Sequence, residues 1–214
     1  MAYTREQVII LSAVAPVLLA SGVAAYRFRH LPQTGRVLTA LVWFALATEV
    51  VSRVCWFLKI NNLFLWPIYM SVEFALLVWL YSLVTPPYRK YATVAIGLFM
   101  AGVLTEFVWR SNQPLVISNL ARSAESVMII ALALRHAYRS FREPVAGELW
   151  RQPMLWVSLG LLVFFSANFF IYLFINYALN YSQQLNFHIW ATHAGLNLVL
   201  YAAYAYALWI SPPK

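Results

Sequence analysis

The sequence predicts an all-α, polytopic membrane protein: seven transmembrane helices in a single domain, with the N-terminus outside and the C-terminus in the cytoplasm. Three observations carry this. The 214-residue chain is 63% hydrophobic and only 10% charged, with a mean hydropathy of +0.69, well outside the usage of soluble globular domains. Its apolar runs each approach the roughly 20 residues that a helix needs to cross a bilayer. Arginine and lysine gather in alternate breaks between those runs, as the positive-inside rule requires of cytoplasmic loops.

The first run, 8–26, follows "MAYTREQ". That stretch lacks a basic region and a small-residue cleavage site in the order a signal peptide needs, so the run is read as a retained helix. "RFRHLPQTGR" separates it from the second run, 37–58, and "KINN" leads to the third, 64–84. The fourth, 91–109, lies between "TPPYRK" and "RSNQP"; it is the weakest, being short and carrying Thr105 and Glu106 near its end. The fifth, 115–134, ends at "RSFREPVAGELWRQP", the sixth spans 154–178, and "NYSQQLN" precedes the seventh, 187–210, which "SPPK" closes. Each break is rich in the Pro, Asn, Ser and charged residues that interrupt apolar helices. One set of loops holds Arg27, Arg29 and Arg36, then Arg89 and Lys90, then Arg135, Arg139, Arg142 and Arg151, with Lys214 in the tail; the other holds Arg5, Lys59 and Arg110. The richer set is cytoplasmic.

No repeat, linker or low-complexity tract divides residues 1–214, and no soluble domain has room. A lone cysteine, Cys55, excludes an internal disulfide. The net charge of +8 comes in short clusters between apolar runs, which suits membrane orientation and not nucleic acid. Trp66, Trp109, Trp190 and Trp209 near helix ends fit interfacial anchoring. Lipids are the expected surroundings, in a bacterial inner (cytoplasmic) membrane.

Charges inside the spans carry the functional reading. Glu49, Arg53, Glu73, Arg122 and Glu125 all fall within apolar runs, and each central charge costs roughly 2.5 to 3.5 kcal/mol on insertion scales. They are therefore expected to turn inward and to be paired, neutralised or wet. Glu49 and Arg53 are four apart and Arg122 and Glu125 three apart, so each pair shares a helix face. Asn119 and Ser126 extend the second face by one turn each way. Asn168, Tyr69, and the stripe of His193, Asn197 and Tyr201 lie in the same depth range on three other helices. Singly, such groups serve as structural glue between helices. Together they define a ligand-binding set of Glu49, Arg53, Tyr69, Glu73, Arg122, Glu125, Asn168, His193 and Asn197, with Trp66 and Tyr201 as walls. Glu73 is the carboxylate without a same-helix guanidinium, and the site opens toward the outside.

Three function classes fit. A receptor or sensor would bind a small zwitterion or lipid headgroup and signal to a separate cytoplasmic or membrane partner. A proton-coupled transporter would use Glu73 as its titrating group. An intramembrane metal-dependent lipid hydrolase would use His188 and His193 with a carboxylate. Against the last, five-residue spacing puts the two histidines about 140 degrees apart on a helix, and His30 and His136 lie at the cytoplasmic side. Against transport, the halves show no repeat and no matching Gly/Pro interruptions; Pro16 and Pro67 are the interior prolines. The seventh run has no lysine for a Schiff base. The receptor reading leads, without enzymatic activity, metal or cofactor.

Overall fold

The computed structural model describes residues 14–62, 64–85, 88–110, 119–143, 149–181 and 183–213, apart from the side chains at 110, 119, 174–181, 183, 184 and 186. Among these residues there are seven α-helices and no strand: α1 (Ala15–Arg27), α2 (Gln33–Phe57), α3 (Leu65–Val84), α4 (Arg89–Arg110), α5 (Asn119–Arg142), α6 (Pro153–Tyr181) and α7 (Gln183–Ile210). Single 3-10 turns, Phe28–His30 and Leu149–Arg151, precede α2 and α6. Four helical stretches are long and apolar enough to cross a membrane: Gln33–Phe57, Leu65–Val84, Arg89–Trp109 and Pro153–Leu173. The chain is a helical membrane protein. The parts of the expected first and fifth runs at 8–13 and 115–118 lie outside the described residues, as do Arg5 and Lys214.

Local chemistry sets the helix ends. Pro16 lies at the start of α1 and Pro153 opens α6, where the missing N–H has no partner to lose. Pro67 is likewise in the first turn of α3, so neither of the interior prolines breaks a helix midway. α2 ends in a left-handed residue, Lys59 (φ 56°). The Lys59 N–H donates to the Trp56 carbonyl at 3.1 Å and the Ile60 N–H to the Cys55 carbonyl at 2.9 Å, the paired bonds of a Schellman cap. α4 runs unbroken through Thr105 and Glu106. Two departures are large: Val14, inside the expected first run of 8–26, is in a turn and α1 begins only at Ala15, and α5 continues eight residues beyond the expected end at 134 to Arg142. Hydropathy marks where lipid ends, not where helix ends: Arg135, Arg139 and Arg142 are good helix formers, and the first proline, Pro144, comes two residues after Arg142.

Consecutive helices are neighbours throughout, and α7 returns to pack on α1, so the seven close into a ring in chain order. α3 and α5 also touch. The shared core holds Met70, Phe74 and Leu77 of α3, Ile129 of α5, Leu161 and Phe165 of α6, and Tyr204 of α7. α6 and α7 approach so closely at Gly160 that a Cβ there would lie 2.8 Å from that of Ala203. The exterior is apolar: Leu19, Phe57, Leu98 and Trp109 are at least 70% exposed. In water this would be a liability; in lipid it is the matching surface.

Candidate functional site

Arg122, near the start of α5, is buried and stands between two carboxylates. Its Nη1 lies 2.5 Å from Glu125 Oε2 on the same helix and 2.5 Å from Glu73 Oε2 on α3. Nη2 donates to the Tyr172 hydroxyl of α6 at 3.3 Å. Glu73 is held from its other oxygen, where Oε1 accepts the Tyr69 hydroxyl at 3.0 Å. Exposure of the three charged side chains is 4% or less. Glu73 is thus not the unpaired carboxylate that its helix suggests: its guanidinium comes from the next-but-one helix, a pairing that spacing along one chain segment cannot display.

Four rings surround the guanidinium. Its carbon is 5.0 Å from the centroid of Tyr172, 5.6 Å from Phe165, 5.7 Å from Trp66 and 5.9 Å from Tyr69, all within the range of cation–π attraction. Trp66 and Tyr69 come from α3, Phe165 and Tyr172 from α6. The sequence reading missed the last two. Their signal was there: Phe165, Asn168 and Tyr172 recur on one face of α6 at intervals of three and four.

The start of α5 is fixed by a carboxylate from a different helix. Glu106 of α4 is buried, and its oxygens accept the Ala121 N–H at 2.8 Å and the Leu120 N–H at 3.4 Å. These are among the first-turn amides that have no partner within a helix, at the positive end of the helix dipole. Glu106 thereby holds the turn that presents Arg122. Ser126 back-bonds to the Arg122 carbonyl at 2.8 Å and uses its hydroxyl on its own helix.

The other expected members lie apart from this centre to different degrees. His193 Nδ1 is 2.6 Å from Asn168 Oδ1, and its ring sits 6.3 Å from that of Tyr172, which places the α6–α7 pair directly beside the cluster. Asn197 is half-buried on α7. Glu49 and Arg53 pair with each other at 3.6 Å, with side-chain exposures of 40% and 25%; the pair was expected to turn fully inward, and it does not. His188 is exposed while His193 is half-buried, so the two do not share an environment. Among the described residues no three His, Cys, Asp or Glu side chains converge as a metal site.

Two atoms of the centre keep unused capacity. Arg122 Nε and Glu125 Oε1 are buried without a hydrogen-bond partner among the described residues, and Ser123 Oγ and Trp66 Nε1 are in the same position. With both carboxylates ionised, Glu73, Glu125 and Arg122 carry one more negative than positive charge. Such a centre can exchange one internal ion pair for a bond to an incoming ion at little cost in count of contacts. The chain matches no protein-family model, no curated protein and no solved structure.

Proposed function

We propose that the protein is a seven-span membrane receptor or sensor, N-terminus outside, in which the Arg122 centre binds a small zwitterion or a lipid headgroup and passes the change to a separate partner. One observation supports this above others: a single guanidinium is shared by carboxylates from α3 and α5, while Arg122 Nε and Glu125 Oε1 are buried without partners among the described residues. A ligand ammonium would balance the surplus carboxylate. A ligand carboxylate or phosphate would take the free guanidinium edge, which suits bidentate grip. Because Glu73 is on α3 and Arg122 on α5, drawing one away from the other alters how two neighbouring helices are held, a local charge change with a helix shift as its readout.

The same surplus carboxylate favours a second reading, a proton-coupled carrier in which a proton is the balancing cation. The two part in proteoliposomes: a carrier moves labelled zwitterion under an imposed pH gradient, whereas a sensor binds it without net uptake. Binding is read by thermal shift with amino acids, short peptides and phospholipid headgroups. The expected result is stabilisation of the wild type and its loss in Glu73→Gln. Failure of every zwitterion and headgroup to stabilise the wild type counts against the receptor reading. Orientation is tested in a Cys55→Ala background: Ile60→Cys should label from outside, and Lys90→Cys only after permeabilisation.

A further inference from the structure

At the far end of α5 from Arg122, a cavity of about 310 Å³ opens between the C-terminal ends of α3 and α5 and the chain leading into α6. Fourteen residues separate Arg122 from His136, about 21 Å along the helix, so this is a separate place. Two guanidiniums one turn apart, Arg135 and Arg139, line it together with Tyr88, His136, Gln152 and Glu143. Arg135 is stacked over the Tyr88 ring, 4.9 Å from its centroid, and has no carboxylate partner among the described residues. Arg139 reaches Glu143 at 3.4 Å, but both side chains are more than 60% exposed, so the bond is easily exchanged. Gln152 Nε2 is buried and has no acceptor among the described residues.

His136 contributes differently. Its Nδ1 lies 3.2 Å from Ser158 Oγ, which is also 3.0 Å from the Tyr81 hydroxyl. Burial, then the charge of Arg139, lowers the pKa of this imidazole, so the two guanidiniums supply the positive charge of the cavity near neutral pH. Ser158, the hydroxyl that His136 touches, is fully buried and does not line the cavity; the hydroxyls of Thr85 and Ser140 do line it but are not paired with the imidazole, which favours binding over group transfer.

We infer that this cavity is a binding site for a phosphate group, held by Arg135 and Arg139 with the Gln152 amide as a third donor. Two guanidiniums at one wall match the oxygen array of a phosphate, and the unused Nε2 needs an acceptor. Glu143 is the opposing charge, and an incoming phosphate would displace it from Arg139. Tyr138, Phe141 and Trp150, all exposed beside the cavity, form the kind of aromatic collar that sits at headgroup level. Basic pockets between helices at this level take anionic lipid headgroups; a soluble phosphate ester offers the same group.

The test uses the full chain in phosphatidylcholine nanodiscs with or without phosphatidylglycerol, and separately with added glycerol phosphate or inorganic phosphate. Thermal stability is read in each, with native mass spectrometry of retained lipid. Wild type should gain stability from a phosphate-bearing anion and retain it on the order of tenfold better than R135Q/R139Q or Q152L. R142Q is the control, since Arg142 bonds Tyr138 at 3.1 Å outside the cavity, and should behave as wild type. A gain only with phosphatidylglycerol assigns the site to lipid; a gain with the soluble esters assigns it to them. Equal response of wild type and R135Q/R139Q to every probe, or an equal loss in R142Q, overturns the proposal.

Discussion

Glu49 and Arg53 of α2 and Arg122 and Glu125 of α5 are the same pattern twice: a carboxylate and a guanidinium one turn apart, toward one end of a long helix. Their surroundings differ. Arg122 is buried with a second carboxylate, a hydroxyl and four rings around it, whereas the α2 pair remains a quarter or more exposed. Spacing along a helix says that two side chains share a face. It does not say which face, and the face decides whether the pair anchors a bundle or edges out of it.

The largest test of that contrast is removal of the cation. Arg122→Leu strands Glu73 and Glu125 in a low dielectric and should lower unfolding free energy by about 3 to 5 kcal/mol, while Arg53→Leu, one turn from the end of α2 and able to snorkel, should cost under about 1 kcal/mol. Both are readable from thermal or denaturant unfolding in one detergent. Equal losses would erase the distinction.

Next in size is coupling. In an Arg122→Leu background, Glu73→Gln should recover part of the loss, since it removes one of two facing carboxylates, with an interaction energy in the range of about 0.5 to 3 kcal/mol for residues in contact. The matching cycle of Glu49→Gln on Arg53→Leu should give under about 0.5 kcal/mol. A recovery of zero at Glu73 would mean that the three-helix centre acts as separate pairs.

Glu106→Gln sharpens the comparison from a third direction, because this carboxylate accepts backbone amides at the positive end of a helix dipole. Its loss should cost about 1 kcal/mol and should also raise amide hydrogen exchange in the first turn of α5. Unchanged exchange there would detach Glu106 from the positioning of Arg122. Smallest is Tyr172→Phe, which removes one long hydrogen bond and keeps the ring; a change of about 1 kcal/mol or less is expected, with Tm shifted less than by Glu106→Gln.

By itself the sequence determined the membrane class, the seven helices and most of their ends, because length and apolarity of a segment are local quantities. It also singled out Arg122, Glu125, Glu73 and Tyr69, because a charged or polar group in an apolar run is costly wherever the chain folds. Three things only the tertiary structure decided. Glu73 was assigned a guanidinium two helices away, Arg122 acquired Phe165 and Tyr172 from α6, and Glu106 was turned from a flaw in the fourth span into the cap of the fifth helix. Each depends on the rotation of one helix relative to another, and that rotation is fixed by packing across the ring, which spacing within any one helix does not contain.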